Sequence, residues 1–250
     1  MRWLLPLLLL AGCGGGIGGS EPPVVDRHDV LYCYYGDSDT IVAEVKDHTN
    51  CLTIFALWYG TATAVQHAMQ AKAAGINSLI LAIGHDPASI RQLFTAFQAA
   101  NVLGNVVALY PQDEPDVNGY SDDQMIALAE IVRGVAREYP ELVNVQLAVI
   151  YGPGGATPGI SAFDWVGRDN FGRGPQEVGL TGGQRLILIS GGTFFEAPDI
   201  FVDYAERTPE VVLYLGFAWI SYMDATGIHV GIRDNGMAPA YRAVGVKLTH

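Results

Sequence analysis

The sequence predicts an α/β fold, a single (β/α)8 barrel of the TIM type, with reduced helices after strands 5 and 6. Three observations predict it. Eight short apolar runs, rich in β-branched and aromatic residues, recur along the chain. Most are apolar on both faces, as strands covered on both sides are. Helical periodicities fall between several of them, within a chain of 250 residues that suits one domain better than two.

The expected strands are Val30–Tyr35, Leu52–Tyr59, Ser78–Ile83, Val106–Tyr110, Val145–Tyr151, Asp164–Gly167, Arg185–Ser190 and Val211–Ile220. Ser121 followed by Gln124 forms a capping box. Met125, Leu128, Ala129, Val132, Val135, Ala136 and Tyr139 then mark one apolar helix face. Ile90, Leu93, Phe94 and Phe97 mark another. Val65, Ala68, Met69 and Ala73 form a weaker stripe that Gly75 stops. Pro198-Asp199 opens a helix burying Phe201, Tyr204 and Ala205, and a last helix runs from Ala238 to Val244. Pro153, Gly154, Gly155, Pro158 and Gly159 crowd the short connection before Asp164, so loops or single turns replace helices there. A doubly wound open sheet is the rival fold. No Gly-rich phosphate turn follows the first strand, which disfavours its nucleotide-binding version.

Half of the residues are hydrophobic and 16% are charged, which excludes a disordered chain and a coiled coil. No segment after residue 12 has the ~20 uninterrupted apolar residues of a spanning helix. The net charge of −12 makes nucleic acid an unsuitable partner.

Met1-Arg2 is a small positive start, and Trp3–Ala11 is an apolar run too short to stay in a bilayer as a helix. It ends in Leu10-Ala11-Gly12-Cys13, which resembles the lipobox of bacterial lipoproteins. The resemblance implies a signal peptide over 1–12, an acylated Cys13 with a tether over 13–28, and the barrel over 29–250. It also implies export, membrane attachment through the acyl chains and, from Gly14 in place of Asp, outer-membrane sorting as in enteric lipoproteins. An exported compartment permits a Cys33–Cys51 disulfide. Their different heights on neighbouring strands argue against one.

Chemistry in such a barrel sits at the carboxyl ends of the strands. In strand order, those exits carry Tyr34, Tyr35 and Asp37; Trp58 and Tyr59; His85 and Asp86; and Tyr110, Gln112, Asp113, Glu114 and Asp116. Then come Tyr151; Arg168, Asp169, Asn170 and Phe171; Ser190, Thr193, Phe194, Phe195 and Glu196; and Trp219, Tyr222 and Asp224. Aromatic faces suit the C–H surfaces of sugars, and carboxylates bind hydroxyls or act as acid and base, so a carbohydrate cleft is expected. Tyr35, Trp58, Tyr59, His85, Tyr110, Tyr151, Asn170 and Trp219 are its expected binding residues.

Tyr110-Pro111-Gln112-Asp113-Glu114-Pro115-Asp116 is the sharpest local signal. Crowded carboxylates raise one another's pKa, and a raised carboxyl can serve as a general acid. The plainer reading is a turn leading into a helix, which suits Asp116 best. Asp113-Glu114-Pro115 resembles the Asn-Glu-Pro of clan A glycoside hydrolases, and Gly216-Phe217-Ala218-Trp219 resembles the strand-eight segment that sets a Trp on their cleft floor. The resemblance implies that Glu114 is the acid/base and that Asp113 tunes it. The clan's strand-seven Glu has no counterpart, because Leu188-Ile189-Ser190-Gly191-Gly192 occupies that exit. Asp169 and Glu196 are the candidate partners for Glu114. Arg168 could instead pair with Asp169 as a structural ion pair.

Other chemistries lack their signatures. There is no His-x-His at strand one, no His-Glu-x-x-His, no Cys-x-x-Cys, no Gly-x-Ser-x-Gly and no Walker loop, so no metal or cofactor is expected. The expectation is a lipid-anchored barrel that hydrolyses glycosidic bonds. The alternative is a non-catalytic lipoprotein that binds a glycan or a surface partner on the same scaffold.

Overall fold

Eight parallel strands form a nearly closed barrel with helices between them, in the order β1-β8-β7-β6-β5-β4-β3-β2. The computed structural model describes residues 29–35, 41–224 and 227–249. The expected signal peptide, Cys13, the tether and Asp37 lie outside the described residues. The strands are β1 (Leu31–Tyr35), β2 (Cys51–Phe55), β3 (Ser78–Ala82), β4 (Val106–Tyr110), β5 (Gln146–Tyr151), β6 (Trp165–Arg168), β7 (Arg185–Gly191) and β8 (Val211–Phe217).

The two apolar faces of these strands fill two layers. Cys33, Tyr35, Phe55, Ile80, Tyr110, Ile150, Ile187, Leu213 and Leu215 pack inside the barrel. Their alternates, among them Tyr34, Ile54, Leu81, Leu109, Val149 and Tyr214, meet the helices outside. This is the period-2 consequence of burial on both sides. Tyr214 and Tyr241 both donate hydrogen bonds to Ser190 Oγ at 2.9 Å, which places that hydroxyl in the outer layer.

The helices are α1 (Ile41–Val45), α2 (Ala56–Ala73), α3 (Pro87–Ala99), α4 (Asp122–Ala136), α5 (Asp199–Arg207) and α6 (Ala238–Thr249). The Ser121–Gln124 capping box opens α4, and all the expected apolar positions from Met125 to Ala136 are buried. In α2 the buried face is Ala64, His67, Ala68 and Ala71, rotated from the expected stripe so that Met69 is exposed. Small side chains let this helix lie close to the sheet, and that outweighs the larger Met69. After β5 there is only a 3-10 turn at Ile160–Ala162, and no helix separates β6 from β7. Two elements escaped the sequence reading, the short α1 and a hairpin of β9 (Tyr222–Asp224) and β10 (Gly227–His229).

The seam between β1 and β2 corrects the cysteine expectation. Asn50 N donates to Tyr32 O at 3.3 Å, and Tyr32 N donates back to Asn50 Oδ1 at 2.7 Å. This register places Cys51 beside Cys33 at the same height, and the two form a disulfide with Cα atoms 5.2 Å apart. β2 begins at Cys51, one residue before the expected start.

Candidate active site

β4 ends at Tyr110, and the following turn crosses the barrel mouth. Asp113 bridges to Ile150 of β5, and Glu114 N donates to Ile150 O at 2.9 Å. Glu114 has φ +43°, a left-handed conformation that costs a residue with a Cβ about 1–2 kcal/mol. Neighbours hold it there. Asn118 Nδ2 donates to the carbonyls of Asp113 and Glu114, both at 3.0 Å, and Gln112 Nε2 donates to Asp113 O at 2.6 Å. Gly152 at the β5 exit makes room, because a Cβ there would stand 2.4 Å from Val117 Cγ2 and 3.2 Å from Glu114 Oε1.

Asp113 accepts a hydrogen bond from Tyr35 Oη at 2.6 Å and a short one from Tyr110 Oη. Burial raises its carboxyl above the ordinary range, while the two phenol hydrogen bonds pull it back down. Burial, followed by the Asp113 charge, pushes both tyrosines well above their ordinary value.

Asp169 follows β6, with its N donating to Tyr151 O at 2.9 Å. Its carboxyl and that of Glu114 line the same cleft. Burial, then the charges of Glu114 and Asp113, push Asp169 up to about 8. Glu114 is raised by burial and by the Asp113 charge.

Arg168 does not pair with Asp169. It is buried, lies 3.8 Å from Asp116 Oδ2, and donates to the carbonyls of Gly152 and Ala156. Asp116 also accepts from Gly152 N at 2.8 Å, so it braces the turn, as its plainer reading held. No cation neutralises Asp169 through Arg168, which leaves its carboxyl free to rise.

Asp113, Glu114 and Asp169 line a cleft of about 680 Å³ together with Tyr35, Trp58, Tyr59, Phe171, Phe194, Phe217, Tyr222, Met223 and His229. Trp58 and Tyr59 stand on the first turn of α2, ahead of the break at Gly60, and not on a strand as expected. The Trp58 ring lies flat on Phe55 at 4.4 Å and is 59% exposed, an open platform at the rim.

Other expected binding residues stand elsewhere. Tyr110 lies beneath the carboxylates and positions Asp113. His85 Nε2 is 2.9 Å from Pro111 O and steadies the turn. Tyr151 is fully buried, with its hydroxyl donating to Pro158 O at 3.1 Å. Asn170 Nδ2 donates to Gln176 Oε1 at 3.2 Å. Trp219 is fully buried outside the barrel, against Tyr34 and His48, and its Nε1 donates to Glu44 Oε2 at 2.6 Å. Phe217, two residues earlier, takes the inward position. The alternation Leu213, Leu215, Phe217 carries that signal in the sequence. Glu196 is buried away from the cleft, accepting from Gly174 N at 2.7 Å and Gly191 N at 2.6 Å, and ties the loop after β6 to the end of β7. The hairpin residues Tyr222, Met223 and His229 were not foreseen as a unit, because two three-residue strands show too little periodicity. Among the described residues, no group of three His, Cys, Asp or Glu is placed to hold a metal ion.

The barrel is similar in fold to several solved glycoside hydrolases. A β-glucuronidase from Faecalibacterium prausnitzii matches 91% of this chain with a TM-score of 0.57 and 12% identity. The chain spans 49% of that protein's length. A family 17 β-1,3-glucanosyltransferase from Rhizomucor miehei matches with a TM-score of 0.57 and 16% identity over 82% of this chain and 93% of its own. The catalytic domain of family 30 xylanase C from Talaromyces cellulolyticus matches with a TM-score of 0.55 and 9% identity over 90% and 77%. No family model matches the chain, and neither does any curated protein sequence.

Proposed function

We propose that this protein is a carbohydrate-active hydrolase that cleaves glycosidic bonds with the Asp169–Glu114 pair. The convergence of Asp113, Glu114 and Asp169 in one aromatic-walled cleft at the barrel mouth carries this reading. Asp169, pushed up to about 8, holds a proton at neutral pH, and Glu114 takes the part of the base. Asp169 gives its proton to the glycosidic oxygen as the bond to the anomeric carbon breaks. Glu114 takes a proton from the water that attacks that carbon. This gives the acid role to Asp169, where the resemblance to clan A gave it to Glu114. Asp113, held by Tyr35 and Tyr110, tunes both carboxyls by its charge. Trp58 and Tyr59 carry the sugar ring. Residues 1–12 direct export, and acyl chains on Cys13 attach the barrel to a membrane surface.

In hydrolases the two carboxyls stand ~5–9.5 Å apart. The absence of a strand-seven Glu, where β7 ends in Ile189-Ser190-Gly191, favours a second reading, a carbohydrate-binding protein without hydrolysis. Release of reducing sugar from a panel of bacterial and plant polysaccharides separates the two. Release by the wild type that disappears in Glu114→Gln supports the hydrolase. Retained binding with no release supports the binding protein.

A further inference from the structure

We infer that the cleft takes an uncharged sugar bearing an apolar aglycone, an inference that rests on the carbohydrate reading of this cleft. Two features of the wall point there.

The first is charge. No Lys or Arg lines the cleft among the described residues. Arg168, the cation next to Asp169 in sequence, is turned to Asp116 and two backbone carbonyls. Arg233 pairs with Glu44 and Asp234. A uronate or phosphorylated sugar would place its anion against Asp113 and Glu114 with no Lys or Arg on the wall to offset it.

The second is an apolar track leading away from the carboxyls. Tyr35, which holds Asp113, lies 5.0 Å from the Phe217 ring. Phe217 stacks on Phe171 at 4.7 Å, and Phe171 stacks on Phe194 at 5.1 Å. Three rings from the ends of β6, β7 and β8 thus form one apolar stack along the cleft wall. Its outer ring, Phe194, is 43% exposed, and Met223 of the hairpin, 77% exposed, lines the same cleft. Phenyl and thioether groups offer no donors for a row of sugar hydroxyls, whereas a hydrocarbon chain gains by covering them. The sugar therefore sits at Asp169 and Glu114, and the aglycone runs along Phe217, Phe171 and Phe194.

Calorimetric titration of the full chain with methyl β-glucoside, octyl β-glucoside below its micellar concentration and octyl β-glucuronide tests this, with the matching galactose series beside it. The octyl glycoside of at least one neutral sugar should bind about tenfold or more tighter than its methyl counterpart, the gain from burying two CH₂ groups. It should also bind more tightly than its uronide. Phe194→Ala should weaken the octyl ligand more than the methyl one and narrow that ratio. Equal binding of methyl and octyl glycosides, preference for the uronide, or no saturable binding of any octyl glycoside overturns the inference. Octyl preference without cleavage leaves the inference standing and removes the hydrolase reading. Polysaccharide cleavage without octyl preference does the reverse.

Discussion

Asp169 and Glu114 line one cleft at the barrel mouth, and burial together with the neighbouring carboxylates pushes the Asp169 carboxyl up to about 8. Two strand exits, those of β4 and β6, thus meet in one acid–base pair. The left-handed backbone of Glu114, held by Asn118 and Gln112, makes the meeting possible.

This pair should show in the pH dependence of stability. Unfolded Asp169 loses its proton near the ordinary 3.8, whereas folded Asp169 keeps it to about 8. Between those values the folded state binds more protons, so stability falls as pH rises through the window and levels above it. Asp169→Asn removes that slope. Its melting temperature should exceed that of the wild type by about 5 °C at pH 8, with the gap closing toward pH 4, as thermal unfolding at a series of pH values would show.

Gly152→Ala should disturb the site from behind. Its Cβ would press on Val117 and approach Glu114 Oε1 to 3.2 Å. Cleavage should fall by about tenfold or more in kcat, because a displaced carboxylate is poorly aligned. Steady-state kinetics on the wild-type substrate would measure this, and circular dichroism would report whether the fold is kept.

The disulfide closes the seam that lacks a strand ladder. Cys33 and Cys51 are 18 residues apart, and losing such a crosslink costs about 3 kcal/mol. Urea unfolding of the Cys33→Ala/Cys51→Ala double variant should show a lower midpoint than the oxidised wild type, and reduction should leave that variant unchanged.

Acylation at Cys13 is tested in a bacterial host by labelled palmitate and membrane fractionation. The wild type should carry label and pellet with membranes. Cys13→Ser should carry none.

The fold was legible because both faces of each strand are apolar and because α3 and α4 repeat at helical spacing. The β9–β10 hairpin was too short to show a period. Within the site, Asp113, Glu114, Asp169, Tyr35, Trp58 and Tyr59 stood out as polar or aromatic residues at strand exits, and the structure brings these six into one cleft. Which residues face inward was harder to read. Trp219 and Phe217 differ by two positions, and the chain turns outward between them, so the larger aromatic lies buried against Glu44. Glu196 resembled a strand-seven acid by position alone, but two backbone amides claim its carboxylate. The left-handed backbone of Glu114 at the cleft is likewise something composition and spacing do not reveal.

The most direct test is kcat/KM from pH 5 to 9, on the substrate the wild type cleaves best, for the wild type, Glu114→Gln and Asp169→Asn. The account predicts a wild-type profile that falls above about pH 8, as Asp169 loses its proton, and a loss of roughly 10²-fold or more in each variant. Wild-type cleavage that both variants retain would contradict it.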